Sequence, residues 1–122
     1  DSETLLYKLH CLGIKDTEHQ WFNNYLSDRH QCVVHNSCMS DELCIKCGVP
    51  QGSILGPTLF VLFVNDFPSV IRRSKVVLYA DDTVLLYASD SINDIQQHLV
   101  SDLTAASTWF KQNKLHLNIA KC

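Results

Sequence analysis

The sequence predicts an α+β domain in which helices pack on one face of an antiparallel sheet. Short β-branched and aliphatic runs at residues 76–78 and 84–86 have the length and composition of strands. Longer segments repeat apolar residues at helical spacing, most clearly over residues 92–112. With 122 residues, the chain can form one domain with a core of modest size.

Two helices are predicted at the beginning of the chain. The first carries a leucine face and ends at Gly13. The second begins at Thr17, with Gln20 placed as in a capping box. Its apolar face, which we expect to pack in the core, consists of Trp21, Phe22, Tyr25 and Leu26.

The middle of the chain predicts a hairpin followed by a buried helix. Residues 31–35 and 43–47 have the pattern of paired strands, and the polar stretch 36–42 would be the connecting turn. Pro57 suits the first turn of a helix that runs to about Asn65. This helix is apolar nearly all round, so we expect it to be buried.

The last third predicts one long helix and a final strand. Ser91 is placed as an N-cap, with Asp94 three residues further on. The apolar residues at helical spacing are Ile92, Ile95, Leu99, Leu103, Ala106 and Phe110. Apolar residues at 115, 117 and 119 then alternate like a strand.

Two adjacent carboxylates, Asp81 and Asp82, lie between the apolar runs 76–78 and 84–86. If both runs are strands, the pair lies at the tip of a tight hairpin. Adjacent acids repel each other, and a hard divalent cation with oxygen ligands, above all Mg²⁺, relieves that repulsion. The pattern therefore indicates metal-assisted phosphoryl transfer.

Residues 48–57 form a loop rich in glycine and proline. It holds three of the four glycines and two of the three prolines of the chain. Such a loop, opening a helix, can face a nucleotide or a nucleic-acid backbone. It is not a phosphate-binding P-loop, because the Gly-Lys-Ser/Thr ending is absent. The alternative interpretation is a plain helix-entry turn.

These segments carry a family resemblance. GVPQGSILGP at 48–57, NDF at 65–67 and LYADDT at 78–83, in this order, resemble the reverse transcriptase domain of non-LTR retrotransposons. WFNNYLSDR at 21–29 resembles the W-F-x-x-Y-L-x-x-R end of a helix in that family, and residues 109–121 resemble the segment that ends in its fourth palm motif. The resemblance covers the whole chain. It implies the palm of a right-hand polymerase, with an antiparallel sheet like that of RNA-recognition or ferredoxin-like folds.

The resemblance also implies an RNA-directed DNA polymerase that works by two-metal nucleotidyl transfer. In such chemistry, carboxylates hold two Mg²⁺ (or Mn²⁺) ions about 3.5–4 Å apart. One ion activates the primer 3′-hydroxyl, and the other binds the triphosphate and the leaving pyrophosphate. By position, Asp81 would be a principal metal ligand and Asp82 would assist it.

Further roles carry over from the family by position. Gln51 and Gly52 would line the pocket near the template strand and the incoming nucleotide, and a side chain at Gly52 would intrude. Tyr79 and Ala80 would set the shape of the hairpin, with Tyr79 serving in packing. Lys121 would lie near the leaving phosphates.

One part of the implied site has no counterpart in the sequence. The family's other principal metal ligand is the first aspartate of an upstream motif like F-D-x-V-D-H, and Asp1 aligns with the second aspartate of that motif. The chain also starts without Met and stops inside an apparent motif. We therefore expect a fragment over residues 1–122, running from just after the first catalytic motif to the fourth, without fingers or thumb. We expect it to be inactive alone.

The composition of the chain limits which partners it can bind by itself. The net charge of −3 and the pI of about 6.0 have the wrong sign for a free-standing nucleic-acid binder. This charge suits a catalytic core whose basic, template-gripping parts lie elsewhere. The partners that the resemblance implies are an RNA template, a DNA primer, deoxynucleoside triphosphates and the remaining fingers and thumb, with an endonuclease part left open. The one basic cluster, Arg72, Arg73 and Lys75, is interpreted as a solvated connection. There is no signal peptide and no apolar run of ~20 residues, so we expect no membrane association and a location in the cytoplasm and nucleus.

Two alternatives remain open. The chain could be a decayed or domesticated copy that serves as a non-catalytic interaction module. It could also be a zinc module built on Cys32, Cys38, Cys44 and Cys47. The spacing of Cys32 and Cys38 is not that of a short knuckle, and strand residues three apart face opposite sides. Reduced thiols in an intracellular protein are therefore the favoured interpretation of the cysteines.

Overall fold

The structure is a computed structural model that describes residues 1–45, 47–50 and 52–121, the last without its side chain. The regular elements are α1 (Ser2–Cys11), α2 (Asp16–Leu26), β1 (Arg29–Gln31), β2 (Val34–His35), β3 (Cys38–Met39), β4 (Leu43–Ile45), α3 (Leu55–Val64), β5 (Lys75–Tyr79), β6 (Asp82–Leu86) and α4 (Ile92–Gln112). Single 3₁₀ turns cover Phe67–Val70 and Ile119–Lys121. The chain divides into two compact units, Asp1–Phe63 and Val64–Cys122, and each is described by itself.

The first unit begins with two packed helices, α1 and α2. The Asp1 carboxylate caps α1 by accepting the backbone N–H groups of Glu3 and Thr4 at 3.0 and 3.3 Å. Leu5 and Leu9 are buried, but Leu12, expected on the same face, is 48% exposed, so the predicted leucine face is confirmed only in part. The predicted end is confirmed as well, because Gly13 follows α1 with a φ of +96°.

Helix α2 departs from its prediction in two respects. It begins at Asp16 behind Lys15, which provides no side-chain cap, so the expected start at Thr17 is wrong. Leu26 is buried, but Trp21 is 52% exposed and stacks on Tyr25 with ring centroids 5.5 Å apart. Core packing was therefore the wrong expectation for Trp21, because the aromatic side of α2 is only partly covered.

Residues 29–45 form one long antiparallel hairpin. Strand β1 pairs with β4, and β2 pairs with β3 around a two-residue turn at Asn36–Ser37. Both turn residues have positive φ, as in a type I′ turn. Between the two ladders, residues 40–42 face residues 32–33, which is a β-bulge. The expected connecting turn over 36–42 was too long, since part of it pairs as β3.

Helix α3 follows the glycine-rich loop. It was expected to run to about Asn65 and ends at Val64. Its inner face is buried through Leu59 and Phe63, and the Lys8 ammonium donates a 2.8 Å hydrogen bond to the carbonyl oxygen of Phe63. Complete burial was the wrong expectation, because Val61 is 55% exposed.

The core of the second unit surrounds Phe67, which is 1% exposed. Its ring contacts those of Trp109 and Phe110 on α4. The indole Nε1 of Trp109 donates to the Asp66 carboxylate at 3.4 Å. The Asn-Asp-Phe motif at 65–67 thus serves to attach the 3₁₀ turn to α4.

The predicted bounds and N-cap of α4 are confirmed, because Ser91 accepts the backbone N–H of Asp94 at 3.4 Å. Its predicted apolar face is only partly correct. Ile92 and Leu103 are exposed, whereas Asp102 is buried.

The α+β class is confirmed, and the ladders among the described residues are antiparallel and two-stranded. The expected strand over residues 115–119 is wrong. In the described part of the chain no strand pairs with it, and the backbone ends in the 3₁₀ turn Ile119–Lys121. Alternation by itself cannot form a strand without a neighbour for its hydrogen bonds. No helix within the described ranges has both the length and the apolar character needed to cross a membrane.

Candidate active site

The two adjacent carboxylates lie at the tip of the β5–β6 hairpin, as predicted. Tyr79 pairs with Asp82, so Ala80 and Asp81 form a two-residue turn. Ala80 has a φ of +50°, and Asp81 does not share the positive φ. This is the pattern of a type II′ turn, in which glycine usually occupies the first position. The structure therefore holds the turn with an alanine in a backbone conformation that alanine rarely adopts.

The pairing of β5 and β6 decides which face each side chain occupies. Cross-strand partners share a face, so Asp82 lies with Tyr79 and with the neighbouring pair Val77 and Val84. These four side chains are exposed. Tyr79 is 81% exposed, so the packing role expected for it is wrong within the described residues. The half-buried residues of the opposite face are Val76, Leu78 and Leu85. The hairpin therefore has one covered face and one open face, and Asp82 belongs to the open face.

The carboxylates of Asp81 and Asp82 are exposed. Neither accepts a hydrogen bond nor forms an ion pair within the described ranges. Their oxygens are thus hard donors with free lone pairs, which is the chemistry that Mg²⁺ and Mn²⁺ select. Two carboxylates do not complete a coordination shell, and the described residues bring no three potential ligands together. The carboxylate oxygens are suitable ligands for a divalent cation, and further ligands must complete its coordination shell.

The base of the first hairpin strand is attached to α4 by Asp102, a residue that the sequence pattern did not single out. Asp102 is 2% exposed, and its carboxylate accepts the backbone N–H groups of Arg72, Arg73 and Ser74 at 3.2, 3.2 and 2.7 Å. Burial raises the pKa of this carboxyl, but the hydrogen bonds from the backbone amides of Ser74, Arg72 and Arg73 outweigh that effect and lower it overall. The available signal was an acid between Leu99 and Ala106, inside the apolar stripe of α4.

The end of the second hairpin strand is also attached to α4. The Tyr87 hydroxyl donates to Asp94 Oδ2 at 2.9 Å, and His98 Nε2 lies 2.9 Å from Asp94 Oδ1. Hydrogen bonds from Ser89 and Tyr87 lower the pKa of the Asp94 carboxyl. The same bond with Asp94 raises the pKa of the Tyr87 hydroxyl. The sequence pattern places Asp94 three residues after the N-cap Ser91 but gives no sign of its contacts with Tyr87 and His98.

The glycine-rich loop belongs to the first unit. The Ser53 N–H donates to the Pro50 carbonyl at 3.1 Å, and Gly52 has a φ of +80°. Apart from its two neighbours in the chain, a Cβ added to Gly52 would meet no atom of the described residues within 4 Å. Within this chain, backbone conformation rather than lack of space requires glycine there. Gln51, predicted to line the same pocket, lies outside the described residues, as does the side chain of Lys121.

Arg29 holds the beginning of this loop. One of its terminal nitrogens donates to the Gly48 carbonyl oxygen at 2.7 Å. In the sequence, Arg29 stands out only as part of the family-like WFNNYLSDR segment. The structure gives it a definite contact, at the point where the chain leaves the β1–β4 ladder for the loop.

The cysteines proposed as zinc ligands do not converge. Cys32, Cys38, Cys44 and Cys47 are free and exposed, and no cluster of three or more potential ligands exists among the described residues. Cys38 pairs with His35 at the hairpin turn, whereas Cys44 pairs with His30 in the other ladder. The zinc alternative therefore has no geometric support in the described part of the chain.

Comparison with known proteins agrees with the motifs. The profile of the family described as "Reverse transcriptase (RNA-dependent DNA polymerase)" matches residues 1–122. The "RNA-directed DNA polymerase from mobile element jockey" of Drosophila funebris is 32% identical over 97% of this chain, and that of Drosophila melanogaster is 38% identical over 81%. The "Probable RNA-directed DNA polymerase from transposon BS" of Drosophila melanogaster is 35% identical over 80% of the chain.

The matched segments span 12–14% of the length of these three relatives. No solved structure matches the chain. The profile match covers every residue, and the motifs that carried the resemblance all lie inside it. The chain therefore belongs to the reverse transcriptase family.

Proposed function

We propose that this chain is part of the palm of an RNA-directed DNA polymerase that copies an RNA template from a DNA primer. One observation carries the proposal. A chain of the reverse transcriptase family presents two exposed carboxylates, Asp81 and Asp82, without partners among the described residues, at the tip of a strained two-residue hairpin. Backbone strain next to charged side chains without partners is typical of functional sites.

In this proposal, Asp81 and Asp82 hold Mg²⁺ or Mn²⁺, and Asp81 is the principal ligand. A bound divalent ion would supply positive charge to the reacting phosphate oxygens and lower the pKa of the primer 3′-hydroxyl. The chain's own contribution is to hold two carboxylates on a turn of fixed shape, with the rest of the coordination shell open to substrate oxygens. The open hairpin face beside Asp82 leaves room for those substrates.

The remaining assignments are made by motif position. Gln51 and Gly52 line the pocket for the template strand and the incoming deoxynucleoside triphosphate. Tyr79 and Ala80 set the shape of the hairpin, which agrees with the positive φ of Ala80. Lys121 interacts with the leaving phosphates. The finer architecture, a palm sheet of RNA-recognition or ferredoxin-like type, is part of the same proposal.

The second principal metal ligand that the resemblance requires has no counterpart among these 122 residues. We therefore propose that the 122 residues alone do not extend a primer. Activity requires the upstream aspartate together with fingers and thumb, and an endonuclease part could accompany them. The proposed setting is intracellular, in the cytoplasm and nucleus, where template RNA and deoxynucleotides are present.

Primer extension on an RNA template with Mg²⁺ tests the function. Three proteins are compared: the 122-residue chain, a longer polypeptide that adds the upstream motif, fingers and thumb, and that longer form with Asp81→Asn. We expect extension by the longer form only, and a loss of at least about a hundredfold in Asp81→Asn, since a metal ligand acts directly on the transition state.

Asp90→Asn is the matched control, because it removes the same charge from an exposed loop residue in the same unit. It should leave extension unchanged. Full activity in Asp81→Asn would reject the metal-ligand assignment. A folded longer form that extends no primer would favour the decayed or domesticated copy instead.

A further inference from the structure

We infer that α4 positions the Asp81–Asp82 hairpin by holding the base of both of its strands, through Asp102 on the first and through Asp94 with Tyr87 on the second. The inference rests on the proposed function, because it makes Asp102 and Tyr87 positioning residues for the metal-binding carboxylates. Neither residue touches the hairpin tip. They act through the backbone that leads to it.

The Asp102 contact fixes three consecutive peptide groups at once. Its Oδ1 accepts from Arg72, and its Oδ2 accepts from Arg73 and Ser74. Three donors that converge on one planar group restrict both the position and the direction of the chain. Ser74 is directly followed by Lys75, the first residue of β5, so the restriction applies where the strand begins.

The anchoring residue lies in the middle of a long helix. Asp102 is buried in the eleventh position of a 21-residue helix whose other buried side chains are Ala106 and Trp109. Burying a carboxylate costs free energy unless it is fully hydrogen-bonded, and here the backbone amides provide that compensation. An apolar residue would fill the same space without holding the strand. The presence of an acid at this site therefore points to a role in positioning the segment before β5.

The second strand has its own anchor on the same helix. Tyr87 directly follows Leu86, the last residue of β6, and its hydroxyl donates to Asp94 in the first turn of α4. His98 holds the other oxygen of the Asp94 carboxylate. Both strands of the hairpin are therefore attached to one helix at the end opposite the carboxylates.

An isolated two-stranded hairpin is marginally stable in water. Among the described residues, β5 and β6 pair only with each other. A five-residue strand is nearly inextensible at about 3.3 Å per residue, so a displacement at Ser74 is carried to Tyr79 and the turn. The two anchors thus supply the orientation that the small sheet cannot supply by itself.

The test uses the longer polymerase that contains this chain, in the variants Asp102→Asn and Tyr87→Phe. Asparagine keeps the size of the side chain, but its NH₂ group would meet a backbone N–H and lose at least one of the three bonds. We measure kcat per titrated active site and the Mg²⁺ concentration that gives half-maximal extension. We expect about a tenfold rise in that concentration for Asp102→Asn, as for other groups that orient metal ligands, and a smaller rise for Tyr87→Phe.

A purely structural role would reduce the number of active sites without changing the half-activating Mg²⁺ concentration, and that result would overturn the inference. If Asp102→Asn does not fold, Tyr87→Phe becomes the test. An unchanged half-activating Mg²⁺ concentration in Tyr87→Phe would likewise overturn the inference. Asp90→Asn is the control for the loss of one negative charge from an exposed residue of the same unit.

Failure of the inference and failure of the proposed function are separable. If Asp81→Asn abolishes extension while Asp102→Asn and Tyr87→Phe leave the Mg²⁺ dependence unchanged, only the positioning role is rejected. If Asp81→Asn extends primers normally, the metal-ligand assignment on which the inference rests fails first, and if the folded longer form extends no primer, the proposed function fails. Amide hydrogen exchange of β5 gives a readout without activity, and we expect faster exchange in Asp102→Asn than in Asp90→Asn.

Discussion

Ala80 is the residue at which local strain and the candidate site coincide. Its φ of +50° costs an L-residue about 1–2 kcal/mol relative to an ordinary conformation. Glycine adopts this conformation freely, although it loses more entropy on folding. We expect Ala80→Gly to raise the free energy of unfolding by about 1 kcal/mol, measured by urea denaturation.

Ala88→Gly is the matched control for Ala80→Gly. Ala88 is an exposed residue outside regular structure, and its φ is not positive. Glycine there adds only flexibility to the unfolded chain and should lower the free energy of unfolding by about 0.4–1 kcal/mol. Effects of the same sign at both positions would show that strain at Ala80 is not the cause.

Asp102 predicts a specific pH dependence of stability. Its pKa is lower in the folded chain than the unfolded value of about 3.9, so it stabilises the fold above that pH. The contribution is lost as the pH falls through the folded pKa. We expect Asp102→Asn to cost about 1–3 kcal/mol at pH 7, and the difference from the parent to shrink as the pH falls below about 4.

Urea denaturation of the parent and of Asp102→Asn at pH 7 and pH 3 checks this expectation. Asp90→Asn, which changes an exposed acid, should stay within about 0.5 kcal/mol of the parent at pH 7. A cost for Asp102→Asn that is independent of pH would mean that side-chain shape, rather than the charge on the carboxylate, stabilises the segment before β5.

At the level of elements, the turn at Asn36–Ser37 makes a separate prediction. Both residues have positive φ, at 47° and 63°, and Asn-Gly is the preferred sequence for such a turn. We expect Ser37→Gly to slow amide exchange in β2 and β3. Ser40→Gly should have the opposite effect, because the Ser40 hydroxyl accepts the Val33 N–H at 3.0 Å and glycine removes it. Faster exchange in Ser37→Gly would contradict the type I′ assignment.

Elements that depend on neighbours in the sequence were predicted well from the sequence. The hairpin around Asp81–Asp82, the N-cap at Ser91 and the end of α1 at Gly13 all follow from residues close in the chain. The departures depend on distant contacts. Residues 115–119 alternate, but no strand in the described part of the chain pairs with them. Asp102 is buried because peptide groups about thirty residues away donate hydrogen bonds to it. The periodicity of a sequence shows which residues are apolar. It does not show which polar side chain will be buried with hydrogen-bond partners.

For the candidate site, the sequence located the carboxylates but not what holds them. Asp81 and Asp82 were identified from an unusual pair between two strands and from the family motif. The anchors at Asp102 and Tyr87 belong to no local pattern, and an acid in an amphipathic helix ordinarily faces water. Only the folded arrangement shows that it faces backbone amides instead.

At the scale of the whole molecule, the net charge of −3 opposes binding to a polyanion. Affinity for nucleic acid comes largely from cations that neutralise phosphates, and non-specific binders reach Kd values of about 10⁻⁴–10⁻⁶ M at physiological salt. We expect the 122-residue chain to show no saturable binding to an RNA–DNA primer-template below about 100 μM, measured by fluorescence anisotropy. Lowering the salt from about 200 to 50 mM should change little, since few phosphates are neutralised.

The longer polypeptide is the comparison for the salt dependence of primer-template binding. If the cations that bind the template lie in its other parts, its affinity for the primer-template should fall steeply as the salt concentration rises. Each neutralised phosphate should contribute about a tenfold loss of affinity per tenfold rise in salt. Asp81→Asn should leave that slope unchanged, because a metal-binding carboxylate neutralises no phosphate in the absence of the ion. Micromolar binding by the 122-residue chain would contradict the expectation that the phosphate-binding cations lie outside it. Such binding would require a basic surface on this acidic chain, formed by the exposed Arg72, Arg73 and Lys75.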